Sequence, residues 1–349
     1  MIDFRYHLVS IVAVFLALAI GIVLGSTELQ GNTIDVLRNT SNSLKNELDQ
    51  SNAQRNTYKQ QYQTDQTFIA TSEPRLLANE LPGDRIVLIT EPGASSTVIS
   101  GIQQAATMAG ATITGQVSIQ PKFNDLSGTS ESSLSQINTD MSTTDGTTLA
   151  TPSDQQTTVQ QQAAQLFGTA ILATTTAGET TGISTADATT LLEGYAQAGY
   201  ITITPSVTDR ATLAIIVTPD TAPADGQNDP GTQVLLAIAP EFAGESAATA
   251  VIGSTAGSST AGSPIAVLRA SSAASVVSTV DNADVAIGQV STIWALAQQL
   301  RGEKPNSYGI SGASAVSPVP LPVPSATPTS TPTPHASQTG KGDKSVKKK

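Results

Sequence analysis

The 349-residue chain contains no cysteine. That removes thiolate nucleophiles, disulfides and thiolate metal sites together, and it suits an exported protein that needs no disulfide framework. Histidine occurs only twice, as His7 and His335. Neither can join a residue of a folded domain in a Ser–His–Asp arrangement unless the chain folds back on itself. No GxxxxGK[ST] phosphate loop is present. No catalytic residue, metal ligand set or cofactor site is therefore assigned, and the chain is not expected to be an enzyme. Charge is sparse as well, at 13% of residues, and aromatics make up 4%. The net charge is −11; the last nine residues carry five Lys and one Asp, and residues 1–25 sum to zero, so residues 26–340 hold −15. A body that acidic repels nucleic acid and anionic lipid, and nucleic acid is not an expected partner.

What the chain does have begins at its N-terminus. Leu8 to Leu24 is a run of 17 residues with one hydroxyl, Ser10, and no charge. As a helix it covers roughly 25 Å, slightly less than a hydrocarbon core. Phe4 and Tyr6 suit the headgroup level, and Arg5 can snorkel to water. A cleaved signal peptide would have a shorter apolar stretch and a more basic start than Asp3 and Arg5 provide, although Ala17-Leu-Ala19 is a conceivable cleavage site. Residues 1–25 are therefore read as a transmembrane signal anchor, with the N-terminus cytoplasmic and the bulk extracytoplasmic. Small residues recur at every fourth position, Ala13, Ala17, Gly21 and Gly25, and Gly21 with Gly25 forms a GxxxG. Such a stripe lets two membrane helices pack closely, though small residues are also common in such helices.

Residues 26–73 read as a helical stalk. Ile34, Leu37, Leu44, Leu48, Tyr58, Tyr62 and Ile69 fall on the a and d positions of one heptad register, while Ser41, Ser51, Arg55 and Asp65 interrupt it. A coiled coil between copies of the chain is one reading. A single amphipathic helix lying on the following domain is the other. Running the register back misses the glycines of the membrane stripe, so Ser26 to Asn32 is expected to swivel, with Gly31 the residue best able to allow it. Pro74 and Pro82-Gly83 are expected to end this section.

Residues 84–309 read as an α/β domain with a mostly parallel sheet covered by helices on both faces. Arg85–Thr90, RIVLIT, suits a buried parallel strand. Ser95 can cap a helix reaching Ala109, and Ala111–Ile119 follows as a strand, completing a βαβ unit. The alternation continues through helix-like 155–172 and 184–198, strands at 200–204 and 213–217, and a helix at 232–243 kinked late by Pro240. A strand at 248–252 and a short helix opening on Ser263-Pro264 follow. Val276–Val280 is the expected last strand and Val285–Arg301 the last helix. Asp125–Pro152, rich in Ser and Thr, is expected to be an insertion or loop. Gly253-Ser-Thr-Ala-Gly257 is a glycine-rich turn without the spacing of a dinucleotide fingerprint. Asp281 and Asp284 can accept hydrogen bonds or a cation, or can favour a helix N-terminus. Residues 310–349, Pro/Thr-rich and ending in lysines, read as a disordered tail.

The opening MIDFRYHLVSIVAVFLALAIGIVLGS resembles that of the actinobacterial MctB-type copper transporter family. Ser278-Thr279-Val280-Asp281-Asn282, the stretch around WALAQQLRG, and Tyr308-Gly309 resemble the family's closing motifs, with Ser307 where the family usually has His. The likeness covers roughly residues 1–310 and implies an envelope protein in copper homeostasis or export. Copper enters by resemblance only, as transported ion. The chain offers no Cys, three distant Met and two distant His, so no cluster suits Cu(I) or Cu(II). One transmembrane helix cannot line a pore, and the many alternating strands of a membrane barrel are not evident. Transport would need an oligomer or a partner. The architecture alone implies instead an envelope scaffold, a homodimer or homo-oligomer that presents its stalk and domain to an envelope protein partner, for example in cell separation.

Overall fold

The computed structural model describes residues 4–145, 158–173, 175–176, 179–180, 183–204, 209–312 and 318. The expected tail and the interior of the Ser/Thr-rich stretch beyond Asp145 lie outside those residues.

A single α-helix, α1, runs from Phe4 to Leu77. Its first part, Phe4–Gly25, has a mean hydropathy of 2.9 over a window fully exposed in the chain, and it is long and apolar enough to cross a membrane. The backbone stays helical through Ser26 to Asn32, so the expected swivel is not a break in this chain. One glycine costs a helix only about 1 kcal/mol relative to Ala, too little to stop continuous i→i−4 bonding. Nor does Pro74 end the helix: α1 passes it and stops after Leu77, where Asn79 takes a left-handed φ of 62°.

The domain is a seven-stranded sheet in the order β5-β2-β1-β6-β7-β8-β9. Its strands are β1 Arg85–Thr90, β2 Thr112–Ile119, β5 Ile201–Thr204, β6 Leu213–Val217, β7 Ala248–Ile252, β8 Ser278–Val280 and β9 Ser307–Tyr308. β3 (Thr175–Thr176) and β4 (Glu179–Thr180) form a separate small hairpin. All pairings in the large sheet are parallel except β2 with β5. β5 is thus an antiparallel edge, and β9, not β8, is the last strand.

Each central strand is buried on both faces. Val87 and Ile89 join one core with Val117, Ala214 and Ile216; Ile86 and Leu88 join the other with Leu213, Ile215 and Val217. That two-sided burial is why these segments read as continuous apolar runs. Helices α3 (Gly128–Asp145), α4 (Thr158–Ile171), α5 (Thr185–Gln197), α6 (Pro230–Glu245) and α7 (Pro264–Arg269) supply residues to the first core or pack against it. α2 (Ser96–Met108), α8 (Ala286–Leu300) and the end of α1 cover the other face.

α3 corrects the expectation of a loop after Asp125. Leu134, Ile137 and Met141 keep helical spacing and face the first core. Asn138, fully buried between them, donates to the Val159 carbonyl and accepts from the Tyr195 hydroxyl at 2.6 Å. Ser and Thr cover the outer side of α3, and they hid the helix in the composition.

Candidate functional site

The family-motif residues converge on a group that was not singled out in the sequence, Arg269. Its guanidinium forms a 2.8 Å ion pair with Asp281, the two side chains being 8% and 0% exposed. It also donates to Thr279 Oγ1 at 2.8 Å, to the Tyr308 carbonyl at 2.7 Å and to the Ser311 carbonyl. Asp281 in turn accepts from the backbone N–H groups of Ile310 and Ser311, each at 2.8 Å. The Tyr308 hydroxyl donates to Gln298 Oε1. Gly309 sits at φ +123°, and a Cβ there would come within 1.9 Å of Asp281 Oδ1. Ser278 Oγ accepts from Gln299 Nε2 and the Asn306 N–H. Asn282 is buried in the turn that follows β8, and its carbonyl lies where a Cβ on Gly288 would fall, 1.9 Å away. The motif is therefore a clamp: Ser278-Thr279-Val280-Asp281-Asn282 holds Tyr308-Gly309 and the residues after it along the sheet edge. Arg269 had a signal in the sequence, being the only basic residue between Arg210 and Arg301 in a chain poor in charge.

Both aspartates accept hydrogen bonds, one of the roles open to them, and neither makes a side-chain capping bond to α8. α8 has Val285 as N-cap without a side-chain capping bond. Asp281 is committed to Arg269, and Asp284 accepts from the N–H and hydroxyl of Thr255 at 2.8 and 2.9 Å. Asp284 thereby closes the glycine-rich turn after β7. The glycines of that turn serve close packing: a Cβ on Gly257 would lie 2.3 Å from the Pro219 carbonyl, and one on Gly253 2.6 Å from Thr218 Oγ1.

A second site lies where the sheet changes direction. The chain passes from β1 to β2 on one side and later from β6 to β7 on the other, so a crevice opens beyond the carboxyl ends of β1 and β6. It encloses about 300 Å³ and is bordered by Glu91, Asn124 and the start of α6. Glu91 follows β1 directly and is 5% exposed, and its Oε1 has no hydrogen-bond partner. Burial, and secondarily the Asp229 carboxylate, push its carboxyl up to about 8. Asn124 Oδ1 is likewise buried without a partner. Asp229 caps α6, its Oδ2 accepting from the Thr232 N–H at 2.9 Å. In the sequence Glu91 opens Glu91-Pro92-Gly93, a turn-forming stretch, and nothing local announces its burial.

The helical seams point outward. In the apolar span Gly21 and Gly25 face open space, and Ala13 and Ala17 are exposed. Along the stalk Leu37, Leu44, Leu48 and Tyr58 are 58–69% exposed, Tyr62 is 51% exposed and Ile69 is half-buried; the Ile34 side chain lies outside the described residues. Partial burial, and secondarily the Asp284 carboxylate, push the Tyr62 hydroxyl above its ordinary value.

The described chain is thus an α/β protein with a doubly covered, mostly parallel sheet, carried on a long helix that begins with an apolar span. Its sequence matches the family described as "Copper transport outer membrane protein, MctB" over residues 1–320. The chain belongs to the MctB family. It is 29% identical over 324 residues to the protein named Copper transporter MctB of Mycobacterium tuberculosis, covering 91% of this chain and 98% of the relative. The protein of the same name from Mycobacterium leprae is 29% identical over 326 residues, covering 91% and 99%.

Proposed function

We propose that the chain is a non-catalytic, single-pass membrane-anchored member of its family that works in copper homeostasis or export. The observation that supports this most is the near full-length match to relatives named as copper transporters. Copper is here the cargo. The N-terminus is cytoplasmic and the domain lies in the envelope. Arg5 is the only firm charge before the span, and the terminal lysines lie too far along to set orientation. Because one helix cannot line a pore, the working form is a homodimer or homo-oligomer, or a complex with an envelope partner. The exposed small-residue stripe and the exposed Leu37, Leu44 and Leu48 support self-association. The chain offers no Cys, three Met and two His, so its domain is proposed not to bind copper tightly by itself.

Those exposed stalk residues also favour a second reading, a scaffold that presents the stalk to partners in cell separation. A deletion strain distinguishes the two. Copper sensitivity with normal septation supports the first, and chained cells with ordinary copper tolerance would replace it by the second. A cytoplasm-dependent reporter fused after Gly309 should stay silent; strong activity there would reverse the orientation.

A further inference from the structure

We propose that the crevice between β1 and β6 binds a primary alkylammonium group, seated on Glu91, Asn124 and Asp229 with its methylene stem against proline rings. Two buried oxygens beside the crevice, Glu91 Oε1 and Asn124 Oδ1, have no partner, and once Glu91 is ionised both are acceptors. An ammonium group brings three donors and no acceptor. The ionisable side chains lining the crevice are Glu91 and Asp229, both acidic, so the local field favours a cation. Pro92, Pro121, Pro219, Pro223, Pro230 and Pro264 also line it. They offer apolar ring edges and no backbone N–H, which suits a methylene stem and gives an anion little to bind.

Competing ligands fit less well. An anion at the start of α6 would face the Asp229 carboxylate, which already caps that helix by accepting from the Thr232 N–H and hydroxyl. Calcium takes six to eight oxygens, more than two carboxylates and one carboxamide provide. Gly231 keeps the seat open: a Cβ there would stand 3.0 Å from Asn124 Nδ2 and 3.1 Å from Asp229 Oδ2.

Binding moves one proton. Glu91, whose carboxyl is pushed up to about 8, enters largely as the neutral acid near neutral pH. The incoming ammonium replaces that proton as its counter-charge, and the proton leaves to solvent, so charge balances. The amine has two sources with the same chemistry. One is the chain's own Lys341, Lys344, Lys347, Lys348 and Lys349; the other is an external amine-ended chain.

The test is calorimetric titration of n-butylammonium chloride into the full-length protein in detergent, in buffers of different ionisation enthalpy. Expected are saturable binding at pH 7 with release of about one proton, and severalfold tighter binding per unit of pH from 6 to 8. Glu91→Gln should weaken binding at least tenfold and abolish proton release. Gly231→Ala should weaken it severalfold while keeping proton release, which holds the test open if Glu91→Gln proves poorly folded by circular dichroism. A variant with the five terminal lysines changed to Ser separates the sources: tighter butylammonium binding there identifies the tail, and unchanged binding identifies an external amine. The proposal is overturned by no binding in either wild type or tail variant, by equal affinity in Glu91→Gln, or by stoichiometric uptake of calcium that displaces the amine.

Discussion

Trp294 donates its indole N–H to the carbonyl of Leu76 at 3.0 Å, across 218 residues of chain. The bond joins the last turn of the membrane-proximal helix to the last helix of the domain. It satisfies one of the carbonyls that a helix end leaves without an intrahelical partner. With Leu77 and Leu81 fully buried in the same core, it makes the long helix part of the domain's fold at that end.

Trp294→Phe is expected to cost about 1 kcal/mol, since it keeps most of the packing and removes one hydrogen bond. The measurement is the denaturation midpoint together with amide exchange over residues 70–77. Unchanged exchange there would mean that Leu77 and Leu81 alone hold the helix.

Asp281→Ala leaves Arg269 buried without its carboxylate, and about 3–5 kcal/mol of stability is expected to be lost. Replacing both by Leu should cost less than the single change, because no uncompensated charge remains. The amides of Ile310 and Ser311, which bond to Asp281, should lose exchange protection first. Protection retained at both would contradict the clamp.

Gly309 and Gly302 make a paired comparison. Both have positive φ, +123° and +85°, but only Gly309 has Asp281 where a Cβ would go; Gly302 meets nothing within 4 Å. Gly302→Ala should cost only the backbone strain, about 1 kcal/mol, while Gly309→Ala should also dislodge the clamp. Equal losses in urea denaturation would count against the contact.

Glu91 makes stability fall as pH rises. Its folded carboxyl titrates near 8 against an ordinary value of 4.5, so between those values the folded state holds a proton that the unfolded state has lost. By linkage, several kcal/mol are lost progressively across that window. Burial raises Glu73, Asp84, Glu241 and Glu245 too, and they act in the same direction. Glu91→Gln should flatten much of the slope, gaining on wild type between pH 5 and 8 in urea melts. A parallel slope in the variant would show that Glu91 is not the group responsible.

Single cysteines at Leu37 or Leu44 should crosslink between copies in membranes, and one at Gln50 should not. Gly21→Leu with Gly25→Leu should reduce the yield by crowding the membrane helices. Equal crosslinking at all three positions, or none at 37 and 44, would leave the stalk as a monomer's exposed helix.

Local pattern alone determined the apolar span, the stalk helix and the buried strands, because each is written in a run of neighbouring residues. RIVLIT and LAIIV could hardly be other than central strands, and Ser184 and Ser263 cap α5 and α7 as their positions imply. The α3 stripe of Leu134, Ile137 and Met141 was present as well, but Ser and Thr around it masked the period. Only tertiary structure decided the rest. Whether β5 runs parallel or antiparallel depends on how the chain returns to the sheet edge, and no residue within Ile201–Thr204 records that. Asp281 and Asp284 look alike in sequence, yet one is buried against Arg269 and the other closes the glycine-rich turn. Glu91 becomes a buried acid because α6 and a ring of prolines from distant segments close over the end of β1. Burial belongs to the assembled neighbours of a residue, and its own short stretch of chain cannot specify them.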